Sequence, residues 1–382
     1  MQIRSGVTSP DSITDRLASV AVSERRENMI EQDIDKGTLV APGGPAVSFA
    51  AQQHALEAGG LVGPPALLAV PFSAIQPLDL LGSGEFCVVH CALLGGDYVA
   101  LKRRTACDCL APPPPLLPHV NTCPCSHRRL KASLRGSQCA EEDLRREIEL
   151  LSHTSHPNIV RFLAHGLDDR GIPFCCLELF SRPLSDLLPT AQGLLARSRQ
   201  AKKWPLARGL SVGLQLARAL RYCHDDFLAG YRLLHRDIKP GNIGVTSDGR
   251  VLLTDFGLAT LWRRAHTARD DDEQRALTGM TGSLRYMAPE VALYMPYNRK
   301  AEAFSFTSVL YHVLSRRRPF SHLTPELYLD RVCRGDLRCP LGKWPAEVQA
   351  LMSAGWASEP SQRPDFAQIV PILERALQRL SS

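Results

Sequence analysis

The sequence predicts an α+β fold, in which a small strand-rich part precedes a larger, mostly helical part. Three short apolar segments, residues 75–81, 87–92 and 98–102, are separated by glycine-containing turns, which is typical of antiparallel strands. Beyond Phe180 the apolar residues recur at helical spacing, and residues 303–314 are apolar nearly all round, which indicates a buried helix.

The predicted elements follow one another along the chain. Residues 1–72 hold few large apolar residues, so most of this segment is predicted to be a low-complexity or disordered N-terminal extension, although its spacing allows a helix between residues 11 and 34. Residues 104–140 carry four consecutive prolines and several cysteines, so they are predicted to be an insertion. The remaining predicted elements are a helix over 141–152, strands over 159–165 and 174–179, a long helix over 206–220, a hairpin of 243–245 with 250–254, and the buried helix.

Composition restricts the class of protein. The chain has 382 residues, 44% hydrophobic and 22% charged, so it can bury a full core and is neither a coiled coil nor wholly disordered. No apolar run approaches the ~20 residues that a helix needs to cross lipid, so no transmembrane segment is predicted. The net charge of +6 is too thinly spread to predict nucleic-acid binding. Because 12 cysteines occur without a secretory signal, we expect reduced thiols in a cytoplasmic or nuclear protein.

Two short motifs carry the chemistry. The first, His-Arg-Asp-Ile-Lys-Pro-Gly-Asn, occupies residues 235–242, and the second, Thr-Asp-Phe-Gly, occupies residues 254–257 on the other side of the predicted hairpin. Asp255 and Asn242 offer the hard oxygen ligands that Mg²⁺ prefers, while Asp237 remains to accept a proton. The two motifs together predict a magnesium–phosphate site.

These motifs resemble those of the eukaryotic protein kinases, whose other signature segments follow in family order over residues 75–378. The resemblance implies a two-lobed protein-kinase-like fold, with an antiparallel sheet and one helix in the small lobe. It implies a kinase domain over 73–380, with an N-lobe over 73–178 that carries the insertion and a C-lobe over 181–380. It also implies that the chain uses ATP and Mg²⁺.

The resemblance extends to the class of substrate. Lys239 follows Asp237 by two residues, as in serine/threonine kinases, and Gly355-Trp356 resembles the tyrosine-kinase-like branch of that group. Proteins that present serine or threonine hydroxyls are therefore the implied substrates, and ATP-dependent phosphotransfer is the implied reaction.

The resemblance also implies the residues of the site. The implied catalytic residues are Asp237 as base, Lys239 on the transferred phosphoryl group, Lys102 on the α- and β-phosphates, and Glu147 as the partner of Lys102. The implied magnesium ligands are Asn242 and Asp255. The implied nucleotide-binding residues are Gly82, Ser83 and Gly84 in the glycine-rich loop, and Val89, Ala100, Lys102, Leu177, Glu178 and Leu179 around the base.

Four positions depart from the family pattern. Cys87 replaces the third glycine of the loop, and Gly244 replaces a larger apolar residue in the floor of the adenine pocket. Glu302 replaces an aspartate that hydrogen-bonds the catalytic loop, which is the motif at residues 235–242. Thr307 replaces a glycine of the same helix as Glu302, so we expect reduced precision but retained chemistry. These departures keep an alternative open, a pseudokinase scaffold that binds partners or nucleotide without turnover. A small-molecule kinase is a second alternative, opposed by the Ala-Pro-Glu segment at residues 288–290.

Two further expectations concern regulation and structure. The segment from Asp255 to Glu290 would be the activation loop, in which Thr278 or Thr281 could be phosphorylated by an upstream kinase or by autophosphorylation and then pair with arginines such as Arg236. Ser283 would take the place of the substrate-loop threonine. Glu290 is expected to pair with Arg363. Four cysteines of the insertion could form a zinc site or stay reduced in a loop; they are Cys107, Cys109, Cys123 and Cys125.

Overall fold

The computed structural model describes residues 68–83, 87–104, 141–188, 204–264, 274–275, 277 and 283–381. Residues 1–67 of the predicted extension, with the helix considered between residues 11 and 34, and residues 105–140 of the predicted insertion lie outside this description. The described part consists of a sheet lobe and a helical lobe, which confirms the predicted two-lobed α+β fold.

The small lobe is built on a five-stranded antiparallel sheet in the order β1-β2-β3-β5-β4. Its strands are β1 (Ile75–Ser83), β2 (Cys87–Leu94), β3 (Asp97–Arg104), β4 (Phe162–Leu167) and β5 (Pro173–Glu178). Gly95 and Gly96 both take positive φ in the turn between β2 and β3, a conformation that glycine adopts without steric penalty. The predicted helix is present as α1, residues 141–152.

Each face of this sheet contributes residues to a different buried cluster. One face packs in a cluster around Leu101, Phe174 and Cys176. On the other face Ala100 and Leu177 belong to the buried core that includes the apolar side of α1 and continues into the large lobe. Because side chains alternate along a strand, Lys102 shares this second face with Ala100 and points toward the large lobe.

Residues 68–72, which the sequence assigns to the N-terminal extension, lie against the sheet. The backbone N–H of Val70 donates to the carbonyl of His165 at 2.9 Å, and Ala69 forms a bridge to the same residue. The ring of Phe72 contacts Phe174 edge to face at 5.4 Å between centroids. The kinase-domain boundary at residue 73 stays a prediction.

The strand predicted from residue 159 begins three residues later than expected. Ile159 and Val160 are buried, but their backbone bonds with the large lobe: the N–H of Val160 donates to Leu253 O at 3.0 Å, and the N–H of Leu253 donates to Asn158 O at 2.8 Å. The sheet of the small lobe therefore starts at Phe162. An apolar β-branched pair predicts a strand but not the partner strand that it joins.

The large lobe is mostly helical. Its helices are α2 (Leu184–Leu187), α3 (Leu206–Arg221), α4 (Pro289–Ala292), α5 (Lys300–Ser315), α6 (Pro325–Tyr328), α7 (Ala346–Gly355) and α8 (Phe366–Ser381). Its short strands are β6 (Arg182–Pro183), β7 (Tyr231–Leu234), β8 (Ile243–Val245), β9 (Val251–Leu253) and β10 (Thr260–Arg263). The sequence-predicted long helix and the β8–β9 hairpin are both confirmed. No helix in the part of the chain described above is long and apolar enough to cross a membrane.

The predicted ion pair of the large lobe is confirmed. Arg363 binds Glu290 through two nearly parallel contacts, Nη1 to Oε1 at 2.5 Å and Nη2 to Oε2 at 3.0 Å. The side chain of Arg363 is fully buried and that of Glu290 is 8% exposed. Arg363 Nε also donates to the carbonyl of Ala357 at 2.9 Å, so the buried cation has partners beyond the carboxylate.

The predicted buried helix, α5, shows how the chain accommodates Thr307. Thr307 Oγ1 donates to the carbonyl of Ala303 at 2.7 Å within the helix, and its side chain lies against Gly355 at the end of α7. A Cβ atom at position 355 would lie 2.0 Å from Thr307 Oγ1. The neighbouring Trp356 Nε1 donates to Ser308 Oγ at 3.0 Å, which fixes the two helices at this close approach.

We expect Gly355→Ala to lower the free energy of unfolding by about 1–3 kcal/mol, because the added methyl group overlaps Thr307 Oγ1. Urea denaturation measures this change. Gly355→Ala combined with Thr307→Ala should recover most of it, since the overlapping oxygen is then absent. Losses that simply add in the double variant would contradict the packing described here.

Candidate active site

The ammonium group of Lys102 on β3 lies between two carboxylates, Glu147 on α1 and Asp255 after β9. Lys102 Nζ lies 2.6 Å from Glu147 Oε2 and 2.8 Å from Asp255 Oδ1. These partners stand 45 and 153 positions away from Lys102 in the sequence. Three predicted site residues from both lobes therefore meet at a single point.

The charges at this point stabilise one another. Burial opposes the charge of Lys102, but the carboxylates of Asp255 and Glu147 outweigh it and hold the pKa of the lysine well above its usual range. The lysine in turn lowers the pKa of Asp255 to about 2 against the effect of burial. The Glu147 side chain is 1% exposed and the Asp255 side chain 47%, so Asp255 is the carboxylate that faces the cleft.

The catalytic-loop motif gathers three more predicted residues. Asp237 Oδ2 accepts hydrogen bonds from Lys239 Nζ at 2.7 Å and from Asn242 Nδ2 at 2.8 Å. The same Asn242 nitrogen donates to the Asp237 carbonyl at 3.0 Å. Asp237 Oδ1 accepts the backbone N–H of Ser283 at 3.3 Å. The carboxylate of Asp237 is thus oriented from three sides.

The β8–β9 hairpin joins this loop to the second motif. Asn242 precedes β8 and Asp255 follows β9, and the N–H of Thr254 donates to the carbonyl of Asn242 at 3.0 Å. Asp255 itself has φ of 63°, a left-handed conformation that aspartate tolerates better than most residues. Phe256 is fully buried and contacts His235 edge to face at 4.8 Å. This anchored ring fixes the direction of the Asp255 side chain toward Lys102.

The residues predicted around the base lie on one face of the small-lobe sheet. Val89 is directly opposite Lys102 across β2 and β3, and Ala100 is opposite Leu177 across β3 and β5. Alternation along each strand directs all four side chains to the same face. Leu177 and Ala100 are each 6% exposed.

The glycine-rich loop is described at its two ends. Gly82 and Ser83 pair with Val89 and Val88 at the end of the β1–β2 hairpin. Gly84 lies outside the described residues, so its predicted role stays a prediction.

The segment after β5 connects the two lobes. Glu178 is bound through its side chain to Arg250, beside the β8–β9 hairpin, and accepts the N–H of Arg161 at 3.3 Å. Leu179 is half-buried against the continuous core. The predicted Glu178 side chain is therefore engaged with the large lobe.

The sequence is similar to a known protein family. The family described as the protein kinase domain matches residues 128–372. The chain belongs to the protein kinase family. The matched range contains Glu147, Asp237, Asn242 and Asp255, while Lys102 precedes it.

Curated protein kinases are similar over 61% to 82% of this chain. The probable serine/threonine-protein kinase drkD of Dictyostelium discoideum is 32% identical over 233 residues, which is 61% of this chain and 16% of that protein. Serine/threonine-protein kinase VIK of Arabidopsis thaliana is 29% identical over 68% of this chain and 56% of its own length. Serine/threonine-protein kinase TNNI3K of Rattus norvegicus is 26% identical over 82% of this chain and 32% of its own length. The chain thus spans between about a sixth and just over half of these relatives.

Glu302 makes the hydrogen bond to the catalytic loop that the family makes with an aspartate. Glu302 Oε1 accepts the backbone N–H of Arg236 at 2.7 Å, and Oε2 is 2.6 Å from His224 Nε2. Burial raises the pKa of Glu302, but the hydrogen bond and charge of His224 outweigh it and leave the pKa below its usual value. The longer carboxylate therefore still holds the catalytic loop.

The arginine next to the predicted base has partners within the kinase fold. Arg236 Nε donates to the Tyr297 hydroxyl at 2.8 Å, and Nη1 donates to the Leu258 carbonyl at 3.3 Å. Thr278 and Thr281 lie outside the described residues, so phosphorylation of the activation loop stays a prediction. Ser283 lies beside Asp237, as expected for the substrate-loop position.

Sequence reasoning missed two contacts that position the site. Arg146 Nη1 donates to the carbonyl of Gly257 at 3.0 Å and is held by Asp143 Oδ1 at 2.7 Å, which adds a second link between α1 and the Asp255 motif. The three-residue spacing of Asp143 and Arg146 on a helix is a signal for that ion pair. The second contact joins Phe180 and Gly244; the sequence singles out the glycine but not the side chain that packs against it.

No group of three or more histidine, cysteine, aspartate or glutamate side chains that could hold a metal occurs among the residues that the structure describes. The cysteines of the considered zinc site all lie within 105–140, outside those residues. The choice between a zinc site and a reduced loop therefore stays open.

Proposed function

We propose that this chain is a serine/threonine protein kinase that transfers the γ-phosphate of ATP to hydroxyl groups of protein substrates. The observation that carries the proposal is the placement of Lys102 Nζ, 2.6 Å from Glu147 Oε2 and 2.8 Å from Asp255 Oδ1. In this family the lysine binds phosphate oxygens, and catalysis is mainly positioning and charge stabilisation. A cation prepared by two carboxylates suits that role.

The residues around Asp237 suit the positioning of a hydroxyl nucleophile. Asp237 would accept the hydroxyl proton, since its carboxylate is oriented by Asn242 and by the backbone N–H of Ser283. Lys239 Nζ, 2.7 Å from Asp237, would steady the transferred phosphoryl group. Gly82, Ser83 and Gly84 would cover the phosphates. The base would lie among Val89, Ala100, Leu177 and the backbone of Glu178 and Leu179.

Asn242 and Asp255 fit a magnesium ion. Both N–H groups of the Asn242 amide are directed to Asp237, so its Oδ1 is the atom left for a cation. Asp255 is half-exposed and its pKa of about 2 keeps it ionised at neutral pH. Hard oxygen donors of this kind match Mg²⁺, which when bound neutralises charge on the phosphates.

Serine and threonine are favoured as acceptors by two independent observations. Lys239 follows Asp237 at the spacing found in serine/threonine kinases. The relatives drkD, VIK and TNNI3K are named as serine/threonine-protein kinases.

The departures that motivated the pseudokinase alternative leave the catalytic groups in place. Glu302 keeps its bond to the catalytic loop, and Thr307 packs against Gly355. We therefore favour turnover over a purely scaffolding role. We also propose regulation by an upstream kinase or by autophosphorylation. The described cysteines are free thiols, which suits the proposed cytoplasmic or nuclear location.

The test is transfer of labelled phosphate from MgATP by the purified full chain, to itself and to a generic basic protein, followed by phosphoamino-acid analysis. We expect label on serine or threonine and a reduction of about 10²- to 10⁴-fold in Asp237→Asn, which removes the proton acceptor. Equal transfer by the unaltered chain and by Asp237→Asn would overturn the proposal, and so would label on tyrosine alone.

A further inference from the structure

An aromatic ring occupies the place of the missing side chain at Gly244. A Cβ atom at this position would lie 2.6 Å from Cγ of Phe180 and 2.7 Å from its Cδ1. Carbon atoms that are not bonded prefer a separation of about 3.5–4.0 Å, so the ring and any larger residue at 244 exclude each other. The Phe180 ring can therefore lie this close to β8 only because residue 244 is a glycine.

The alternation of β8 shows which side of the strand this ring covers. Ile243 and Val245 are buried in the core of the large lobe, so position 244 points to the opposite face. Phe180 reaches that face from the segment that connects the lobes. Phe180 is only half-buried, so part of this residue stays exposed.

The backbone on both sides of Phe180 is fixed. Before it, the N–H of Glu178 donates to Arg161 O at 2.8 Å, and the Glu178 side chain binds Arg250. After it, the N–H of Ser181 donates to Val245 O at 3.0 Å, and Pro183 pairs with Gly244. The backbone that carries the ring is therefore anchored on both sides of Phe180.

We propose that the Phe180 ring forms the floor of the nucleotide-base site and that the Phe180–Gly244 pair determines how tightly the site binds a purine. This inference rests on the proposed function, since it assigns the base to the cleft beside Lys102. A flat aromatic surface adds stacking and edge contacts with a purine beyond those of an aliphatic floor. Phe180 acts here as a specificity-determining residue in contact with the base.

The experiment is a set of binding titrations of the full chain with MgATP and with magnesium tripolyphosphate, which lacks the base. Phe180→Ala should weaken MgATP binding about tenfold, and Gly244→Leu should weaken it more, because leucine overlaps the ring. Phe180→Ala combined with Gly244→Leu places a leucine on the vacated floor and should return MgATP binding to within about threefold of the unaltered chain. Tripolyphosphate binding should stay unchanged in every variant.

Three outcomes would overturn the inference. One is unchanged MgATP binding in Phe180→Ala, another is additive loss in the double variant, and the third is a parallel loss of tripolyphosphate binding. Phe180→Leu, which leaves β8 untouched, should weaken MgATP binding less than Phe180→Ala and covers the case in which Gly244→Leu does not fold. An unaltered chain that binds no MgATP would instead overturn the proposed function, which separates the two failures.

Discussion

Replacing Lys102 with methionine is expected to reduce kcat for phosphate transfer by at least about 10²- to 10³-fold. The substitution removes the cation that lies between Glu147 and Asp255, together with its proposed contact with the phosphates. The two carboxylates would then face each other, and the buried Glu147 would lose its ionic partner. We therefore expect a lower free energy of unfolding as well, measured by urea denaturation alongside the transfer assay.

Two further lysine variants serve as controls: one keeps the positive charge at position 102, and the other removes a lysine on the surface. Lys102→Arg keeps a positive charge, but a planar guanidinium cannot occupy the point that the ammonium holds, so most activity should still be lost. Lys343→Met removes an exposed lysine of the large lobe and should leave both measurements unchanged. A folded Lys102→Met protein with kcat within threefold of the unaltered chain would contradict the assigned role of the lysine.

Replacing Arg363 with methionine is expected to lower the free energy of unfolding by about 3–5 kcal/mol. Arg363 is fully buried and binds both oxygens of Glu290, so its removal leaves a buried carboxylate without its ionic partner. The substitution also removes the hydrogen bond to the Ala357 carbonyl. Urea denaturation followed by circular dichroism measures the loss.

The chain provides a matched surface pair as a control. Arg379 Nη1 lies 2.9 Å from Glu347 Oε1, but the Arg379 side chain is 69% exposed. Arg379→Met should therefore change the free energy of unfolding by no more than about 1 kcal/mol. Equal losses in the two variants would show that burial does not decide the contribution of the Arg363–Glu290 pair.

Much of the fold and site was predictable because its signals are local. Glycine turns and short apolar segments predicted β1 to β3, and the two motifs predicted that Asn242 and Asp255 lie on either side of one hairpin, β8–β9. The start of β4 was not predictable, because Ile159 and Val160 suit any strand and only their bonds with Leu253 and Asn158 exclude them from the sheet.

The sequence by itself determined which groups are available to the site, namely a lysine, a glutamate and two oxygen donors in the order of the family. Tertiary structure alone decided how the unusual positions are accommodated: Phe180 lies over Gly244, and Thr307 lies against Gly355. These contacts join residues 64 and 48 positions apart, and glycine has no side chain from which its neighbour could be inferred. Only the packing of separate elements shows which side chain fills the space that a glycine leaves.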